Sequence, residues 1–341
     1  MKNKPLIIVC NERVSKNKDN EFFSINADLQ ILPDGLGKYF DVSCIFRKNN
    51  NKGNHKFNLK KIFIASNIFI FIKNLIKTFN LNEAKYLIIT ITPFSFISFL
   101  ILFFFKKKVF IYLMSSGHDE WKNILGSWSV WIYDFMFKIV TQNSKVIVCH
   151  KRLYNEDKSF LIKPARLNEQ WFKNHKNPDL SKVKYLYVGR YNPEKGIENF
   201  IKLFNSLKVE AELSLAGEGK KINITTKKKI NQFGYISDEN SLINLYDEHN
   251  ILILPSFTDA HPYVVDESLS RLRPVIIFKE IEYIKENKAG IFVIERNSIQ
   301  LEETTNLIIK NYNKIQEDMK KNVLPSKDKM LKDLKEIIDI N

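Results

Sequence analysis

Two stretches in the second half of the sequence place charged residues directly after an apolar, strand-like run. In the first, KYLYVGRYNPEKGIENFIKLF (184–204), a buried strand ends at Gly189, and a loop with Arg190 and Lys195 precedes an amphipathic helix. Ligands of parallel α/β sheets bind at the carboxyl ends of strands, where the next helix presents free N–H groups and a partial positive charge. Two cations at this position suit a diphosphate. A surface loop with solvated charges is the alternative.

The second stretch, HNILILPSFTDAHPYVVDESLSRLRPVIIF (249–278), also runs from a buried strand into a turn and a helix. It holds two carboxylates, Asp259 and Glu267, eight positions apart. A carboxylate in such a place can accept two hydrogen bonds from the cis-diol of a ribose. Taken as an isolated residue, Glu267 at a helix start would rather serve the helix dipole or a cap.

Strand-length apolar runs alternate with helix-length segments along the whole chain, which predicts an α/β fold with mostly parallel strands. The predicted strands are 6–10, 42–46, 87–92, 109–114, 146–149, 185–188, 212–216, 231–234, 251–254, 274–278 and 290–293. A polar segment at 166–182 predicts a linker between two Rossmann-like domains, 1–165 and 183–325. The tail 326–341 has the pattern of an amphipathic helix.

Four motifs in sequence order give the chain a family resemblance. They are VGRYNPEKGIENFI, LAGEGK, FGYISDENSLINLY and LPSFTDAHPYVVDESLSRLRPVI, and together they span about 110 residues, 184–294. The combination resembles the retaining glycosyltransferases of group 1 (family 4), which have the GT-B fold. The resemblance implies two Rossmann-like domains facing across a cleft, with 326–341 as a helix that crosses back to the first domain.

The resemblance also implies roles for single residues around the transferred sugar. Arg190 and Lys195 match the residues that hold the donor diphosphate, and Glu267 matches the glutamate that binds the ribose. Asp259 stands near the transferred sugar, at a position where the family usually has glutamate.

Further matches concern the backbone around the nucleotide. Gly217 and Gly219 would allow close approach of the backbone to the nucleotide. By resemblance, the turn at Tyr235 and Ile236 would read the base. The amides around Tyr263 and Val264 would face the sugar and phosphate.

In the first half, MSSGHDEW (114–121) follows a predicted strand, so His118 is expected at a carboxyl end. Similar enzymes place a histidine here against the donor sugar, although a lone histidine is as often structural. Asp119 and Glu120 are candidates for orienting the acceptor. The glycine-rich loop that the family has after its first strand is not evident, because residues 11–24 contain no glycine.

Composition and charge restrict the partners. Three cysteines in 341 residues exclude a disulfide-built fold and favour a reducing cytoplasm. Of the net charge of +15, residues 1–163 carry +13 (25 basic minus 12 acidic residues), which predicts an anionic partner for this half. A lysine-rich coding bias is the alternative for the total charge, since 45 of the 53 cations are lysine. No nucleic-acid-binding motif accompanies the charge, so nucleic acid is not expected as a partner.

Residues 87–105 form a run of 19 uncharged residues, which approaches the length of a membrane span. Pro93 divides it, so the favoured interpretation is a buried strand and helix. A transmembrane helix and a helix dipping into a membrane interface remain as alternatives. With the apolar and basic segment 67–79, this predicts peripheral contact with an anionic membrane through residues 60–110.

The expected activity is therefore transfer of a sugar, with retention, from a nucleotide-sugar substrate to an acceptor glycan. UDP- or GDP-sugar is the expected donor, and neither a cofactor nor a metal is expected. A lipid-linked acceptor at the inner face of the cytoplasmic membrane, in surface polysaccharide or lipopolysaccharide assembly, fits the charge. A nucleotide-sugar 2-epimerase and a non-catalytic nucleotide-sugar-binding module are the alternatives.

Overall fold

The computed structural model describes residues 4–340 except 26, 52, 54, 158, 220–225, 227 and 260. The chain divides into two compact units. Unit 1 comprises Met1–Pro164 and Lys327–Asn341, and unit 2 comprises Ala165–Ser326. The tail thus belongs to the same unit as the N-terminal half.

Unit 1 is built on a mainly parallel sheet. Its described strands are β1 (Pro5–Lys16), β2 (Phe22–Ser24), β3 (Asp41–Lys48), β4 (His55–Lys56), β5 (Ile62–Ala65), β6 (Lys85–Ile89), β7 (Lys108–Leu113), β8 (Lys145–Val148) and β9 (Phe160–Leu161). The parallel strands lie in the order β5-β3-β1-β6-β7-β8-β9. The short β2 pairs antiparallel with the end of β1, and β4 pairs antiparallel with β2. The order reverses between β1 and β6, as in a Rossmann fold.

The helices of unit 1 are α1 (Ile31–Leu36), α2 (Ile68–Lys77), α3 (Pro93–Phe104), α4 (Gly117–Leu125), α5 (Val130–Gln142) and the C-terminal α11 (Lys327–Asp339). Apolar residues of α2, α3 and α5 share one core with alternate residues of the strands. Leu331 of α11 packs against Gly35 of α1. Lys145 Nζ also donates to the carbonyl of Ile340 at 3.1 Å. These contacts hold the tail within unit 1.

Unit 2 is a doubly wound parallel sheet. Its described strands are β10 (Val183–Val188), β11 (Ala211–Ala216), β12 (Ile230–Gly234), β13 (Ile251–Leu254), β14 (Val275–Phe278) and β15 (Ile291–Ile294). Its helices are α6 (Ile197–Ser206), α7 (Glu239–Glu248), α8 (Tyr263–Ser270), α9 (Ser298–Lys310) and α10 (Tyr312–Met319). One core contains α6 and α9, and a second contains α7 and α8. The order β12-β11-β10-β13-β14-β15 reverses between β10 and β13.

The segment 166–182, predicted as a linker, is packed into unit 2. Trp171 is buried in its core. The buried Arg271 pairs with Asp247 at 2.8 Å and donates to the carbonyls of Trp171 and Lys173 at 3.0 and 2.7 Å. Polar composition suggested a solvated connection, but the backbone carbonyls of this segment are what the buried guanidinium requires.

The uncharged run 87–105 is divided as predicted. β6 ends at Ile89 rather than at position 92, because Thr90 has a positive φ of 58° and Thr92 caps α3, with a capping box to Ser95. The division into strand, helix and strand is confirmed, but the prediction of a buried helix is wrong for the end of α3, where Phe103 is 53% and Phe104 81% exposed. Within the described residues, no helix is both long and apolar enough to cross a membrane.

Candidate functional site

Two of the three catalytic candidates in the second half, Lys195 and Asp259, meet at the switch point of the unit 2 sheet. Lys195 follows β10 and Asp259 follows β13, and these are the strands between which the order reverses. Lys195 Nζ lies 2.5 Å from Asp259 Oδ2, and the two side chains are only 19% and 13% exposed. A ligand crevice is expected at this point of an open α/β sheet. The structure therefore unites a cation and a carboxylate that are 64 positions apart.

The two loops that carry this pair are fastened to each other. Phe257 N–H donates to the carbonyl of Glu194 at 2.9 Å. Gly196 has φ +67°, and a Cβ there would lie 2.1 Å from the carbonyl oxygen of Pro255. Only glycine permits both this backbone conformation and this close approach. The position of Lys195 is thereby fixed by its neighbours on both sides.

Arg296 contacts the loop after β13, which carries Asp259, and the sequence analysis did not identify this residue. Its guanidinium donates to the carbonyls of Pro255 and Ser256 at 2.9 and 3.1 Å. It also stacks on the rings of Phe257 and Phe278, at 4.0 and 4.4 Å from their centroids. The residue lies 37 positions after Asp259, just beyond β15, and no local pattern connects the two.

Arg190 lies on the same loop as Lys195, with its side chain exposed. Tyr187 Oη donates to its carbonyl at 2.6 Å, which fixes the backbone at the end of β10. The backbone of Arg190 is thus held in place, while its exposed guanidinium can reach a ligand at this edge of the sheet.

Gly217 and Gly219 are needed first of all for packing within the protein. A Cβ on Gly217 would lie 1.9 Å from the carbonyl oxygen of Gly189, and one on Gly219 would lie 2.8 Å from the amide nitrogen of Tyr191. The glycines therefore press the loop after β11 against the loop after β10. Their approach to a nucleotide stays a prediction, and Lys220, at the end of the same motif, lies outside the described residues.

Tyr235 and Ile236 directly follow β12, on the same edge of the sheet. Gly217 N–H donates to the carbonyl of Gly234 at 2.7 Å, so the turn is tied to the glycine loop of β11. Tyr235 is an exposed aromatic residue. This position is consistent with the predicted contact between the turn and the nucleotide base, and that contact stays a prediction.

Glu267 is buried in the second turn of α8, with a side chain 2% exposed. Tyr246 Oη donates to Glu267 Oε2 at 2.8 Å, and Arg166 Nη1 lies 3.5 Å from Oε1. The capping alternative is wrong, because α8 begins four residues earlier, at Tyr263. Burial and the neighbouring Glu267 carboxylate raise the pKa of Tyr246 well above its usual value. Arg166 was hidden from sequence reasoning within the predicted linker.

Tyr263 and Val264 are the first two residues of α8. Amides in the first turn of a helix have no intrahelical acceptor, so this backbone can meet an anion. The loop before them is anchored through Asp266, whose carboxylate lies 3.3 Å from His261 Nε2 and 3.0 Å from Lys288 Nζ. Burial alone would raise the pKa of Asp266, but these two partners together lower it.

His118 lies in the first turn of α4, just beyond β7 in unit 1. Its Nε2 is 2.7 Å from Asp134 Oδ1, and its ring contacts those of Tyr133 and Phe137 at 4.6 and 5.0 Å between centroids. These partners explain its position structurally. Its predicted contact with a donor sugar is not tested.

Glu120 shares the first turn of α4 with Asp119. Burial raises the pKa of the Glu120 carboxyl above its usual value, and the nearby Glu12 and Asp119 act in the same direction. Although the residue is exposed, a carboxyl with a raised pKa at the carboxyl end of a strand is a candidate functional group.

Arg13 and Arg47 form a second feature that the sequence did not reveal. They are in register on the neighbouring strands β1 and β3. The Arg47 guanidinium lies over the ring of Phe94 at 4.6 Å and 3.4 Å from Asn11 Oδ1. Burial, followed by the charge of Arg13, lowers the pKa of Arg47. The pair places positive charge at the carboxyl edge of unit 1.

A metal centre finds no support among the residues with described positions. They contain no group of three or more His, Cys, Asp or Glu side chains that could hold an ion. Cys10, Cys44 and Cys149 are free thiols, and all three are buried. Metal independence stays a prediction.

Comparison with known proteins agrees with this geometry. Residues 168–324 match the family model described as Glycosyl transferases group 1. This part of the chain is similar to the group 1 glycosyltransferases. The match begins at residue 168, three residues after the start of unit 2 at Ala165. No curated protein matches the chain by sequence.

Solved structures of glycosyltransferases share the fold of the chain. Sucrose-phosphate synthase from Thermosynechococcus elongatus has a TM-score of 0.68 at 13% identity, with 98% of each chain covered. HepE from Anabaena, in complex with UDP, has a TM-score of 0.69 at 11% identity, covering 98% of this chain and 99% of that one. WaaG, described as a glycosyltransferase involved in lipopolysaccharide biosynthesis, has a TM-score of 0.67 at 12% identity, covering 98% and 100%. The GT-B fold is therefore confirmed.

Proposed function

We propose that the chain is a group 1 glycosyltransferase and moves a hexosyl group from a UDP- or GDP-sugar to an acceptor glycan, with retention of the anomeric configuration. The pair of Lys195 and Asp259 at the switch point of unit 2 carries the proposal. It supplies a cation for the leaving diphosphate and a carboxylate for the transferred sugar, side by side in a largely buried position.

Lys195 would stabilise the negative charge that develops on the diphosphate as the sugar departs. Cations held in place beforehand are effective at this task, because no reorganisation is needed during the reaction. Asp259 forms an ion pair with Lys195, so the diphosphate would replace Asp259 as the partner of Lys195. Arg190, exposed on the same loop, would add a second contact. The donor is a substrate in this scheme, and no further cofactor is required.

Glu267 would bind the ribose. Its Oε2 accepts from Tyr246 Oη at 2.8 Å, and Arg166 Nη1 lies 3.5 Å from its Oε1. The hydroxyls of a ribose diol would donate to this carboxylate beside Arg166, whose guanidinium carbon is 5.6 Å from the ring centre of Tyr263. The uridine donor is supported by HepE, whose structures contain UDP and UDP-glucose.

The acceptor would be a lipid-linked glycan in surface polysaccharide or lipopolysaccharide assembly, met at the inner face of the cytoplasmic membrane. The basic first half and the apolar segments in 60–110 support contact with an anionic membrane there. The description of WaaG supports the lipopolysaccharide setting.

Transfer should be tested with UDP- and GDP-hexoses, a panel of lipid-linked and free glycans, and NMR of the product. An anomeric proton with the donor's configuration supports the proposal, and an inverted one contradicts it. Conversion of UDP-sugar without acceptor would identify the epimerase instead. Nucleotide binding without turnover on any acceptor would identify the binding module.

A further inference from the structure

The helix layer of unit 1 exposes apolar side chains on its outer side. α3 lies between α2 and α5, because Phe96 meets Phe135 of α5 at 6.2 Å and Phe105 meets Phe79, just after α2, at 5.1 Å between ring centroids. Phe69 on α2 is 80% exposed, and Phe104 on α3 is 81% exposed.

The exposed surface continues beyond α3 into a region that sequence reasoning did not single out. Ile124 near the end of α4, Trp128 in the following turn, and Trp131 and Phe135 on α5 are all exposed, the two tryptophans at 61% and 66%. We call Phe69, Phe104, Ile124, Trp128, Trp131 and Phe135 the outer apolar face. Large apolar side chains exposed on neighbouring helices mark interaction sites rather than ordinary solvent-facing surface.

The composition of α3 is unusual for a helix at the surface of a protein. Its residues, PFSFISFLILFF, include no charged side chain. A helix that covers a sheet from one side normally turns a polar face to water. The outer side of α3 is thus suited to a non-aqueous environment.

The charges beside Phe69 and Phe104 are almost all positive, whereas on α5 the exposed Asp134 lies between Trp131 and Phe135 in sequence. Between positions 67 and 108 there are six lysines and one acidic residue, Glu83. Lys73 and Lys77 lie on the exposed side of α2, and three lysines at 106–108 follow α3. Lysines around an apolar surface complement anionic headgroups, and exposed indole rings favour the interface between headgroups and acyl chains.

We infer that unit 1 docks on an anionic lipid bilayer through the outer apolar face. The inference deepens the membrane contact in the proposed function, and it extends the contact surface from 60–110 to Ile124, Trp128, Trp131 and Phe135. α4 begins beside His118 and Glu120 and ends at this face, so one helix connects the acceptor candidates with the membrane surface. A lipid-linked acceptor would then arrive beside these residues.

Flotation with phosphatidylglycerol-containing vesicles, compared with pure phosphatidylcholine, tests the inference on the full chain. We expect binding to the anionic vesicles at low salt and weaker binding at high salt. Brominated acyl chains should quench the indole fluorescence of the bound protein, and Trp128→Phe with Trp131→Phe should remove most of this quenching.

Variants locate the contact. Trp131→Gln should weaken vesicle binding by about tenfold or more, since it removes one large apolar side chain from the interface. Lys106→Gln with Lys107→Gln should weaken it by about thirtyfold at low salt. Ile299→Gln, at a residue of α9 in unit 2 that is 70% exposed, is the matched control and should bind like the wild type. Circular dichroism checks the fold of each variant.

Absence of binding at low salt would overturn the inference, and so would equal losses in Trp131→Gln and Ile299→Gln. A dimer that forms without vesicle binding and is lost in Trp131→Gln would assign the face to a second copy of the chain. UDP binding measured on the same preparation separates the two proposals. Vesicle failure with intact UDP binding refutes only the docking, and the reverse refutes only the donor site.

Discussion

Substitution of Lys195 and substitution of Asp259 should change the affinity for UDP in opposite directions. Lys195 Nζ and Asp259 Oδ2 are 2.5 Å apart in a mostly buried position, so a bound diphosphate would compete with Asp259 for Lys195. Lys195→Met removes one charge-assisted contact, which contributes about 1.5–3 kcal/mol. The Kd for UDP should therefore rise by about tenfold to more than a hundredfold.

Asp259→Asn should have the opposite effect on binding. It leaves Lys195 in place, removes the competing carboxylate, and takes a negative charge away from the diphosphate site. We expect UDP to bind about tenfold more tightly, which corresponds to about 1.4 kcal/mol. Sugar transfer should nevertheless fall, because the carboxylate beside the transferred sugar is lost.

Isothermal titration with UDP in the presence of EDTA measures both effects. Lys279→Met is the matched control, because Lys279 forms an exposed ion pair with Glu295 in the same unit, at 2.9 Å. Thermal unfolding checks that Lys195→Met is folded, since it leaves Asp259 without its cation. If Asp259→Asn weakens UDP binding as much as Lys195→Met does, the competition described here is refuted.

Three further predictions concern the protein around the site. Gly196→Ala should lower the free energy of unfolding by about 1–3 kcal/mol in urea titrations. Gly234→Ala is the control and should lower it less, because Gly234 has the same φ of +67° but no atom within 4 Å of the new Cβ. Equal losses would mean that the contact of Gly196 with the neighbouring loop is unimportant. Arg271→Met should cost about 3–5 kcal/mol of stability, because it removes the closer guanidinium partner of the buried Asp247 and leaves Arg273 Nη2 at 3.7 Å. An unchanged urea midpoint would contradict the role of this ion pair in holding 166–182. Burial lowers the pKa of His249 below its usual 6.5. The unfolded chain therefore takes up a proton first as the pH falls below 6.5, and stability declines there. His249→Gln should flatten this decline in urea titrations across pH, and an unchanged slope would exclude His249 as its source.

Local pattern was sufficient for the strands and loops of unit 2. Parallel strands buried on both faces are continuous apolar runs, so β13 was predicted at its observed bounds, 251–254. Residues that follow such strands gather at one edge, so Lys195 and Asp259 were each expected at a strand end, whereas their direct contact was found only in the structure. β2, β4 and β9 were missed, because strands of two or three residues carry too little periodicity, and the four-residue β5 was missed as well.

Residues fixed by tertiary contacts could not be predicted in this way. Arg166, Arg271 and Arg296 are held by groups far away in sequence: a carboxylate of Glu267 for Arg166, and backbone carbonyls for Arg271 and Arg296. The linker prediction failed for the same reason, since the partners of 166–182 lie about 100 residues later. In α3 the sequence is apolar on every side, so periodicity could not tell which side would be exposed.

Nucleoside diphosphate binding by the wild-type chain is the most direct test of the donor site. Thermal unfolding should be measured with UDP, GDP, ADP and CMP, each with and without EDTA. A ligand at a hundred times its Kd adds about 2.7 kcal/mol of stability. The account predicts a rise of the unfolding temperature with UDP or GDP that EDTA does not change. No rise with any of the four nucleotides would contradict a nucleotide-sugar site at the switch point of unit 2.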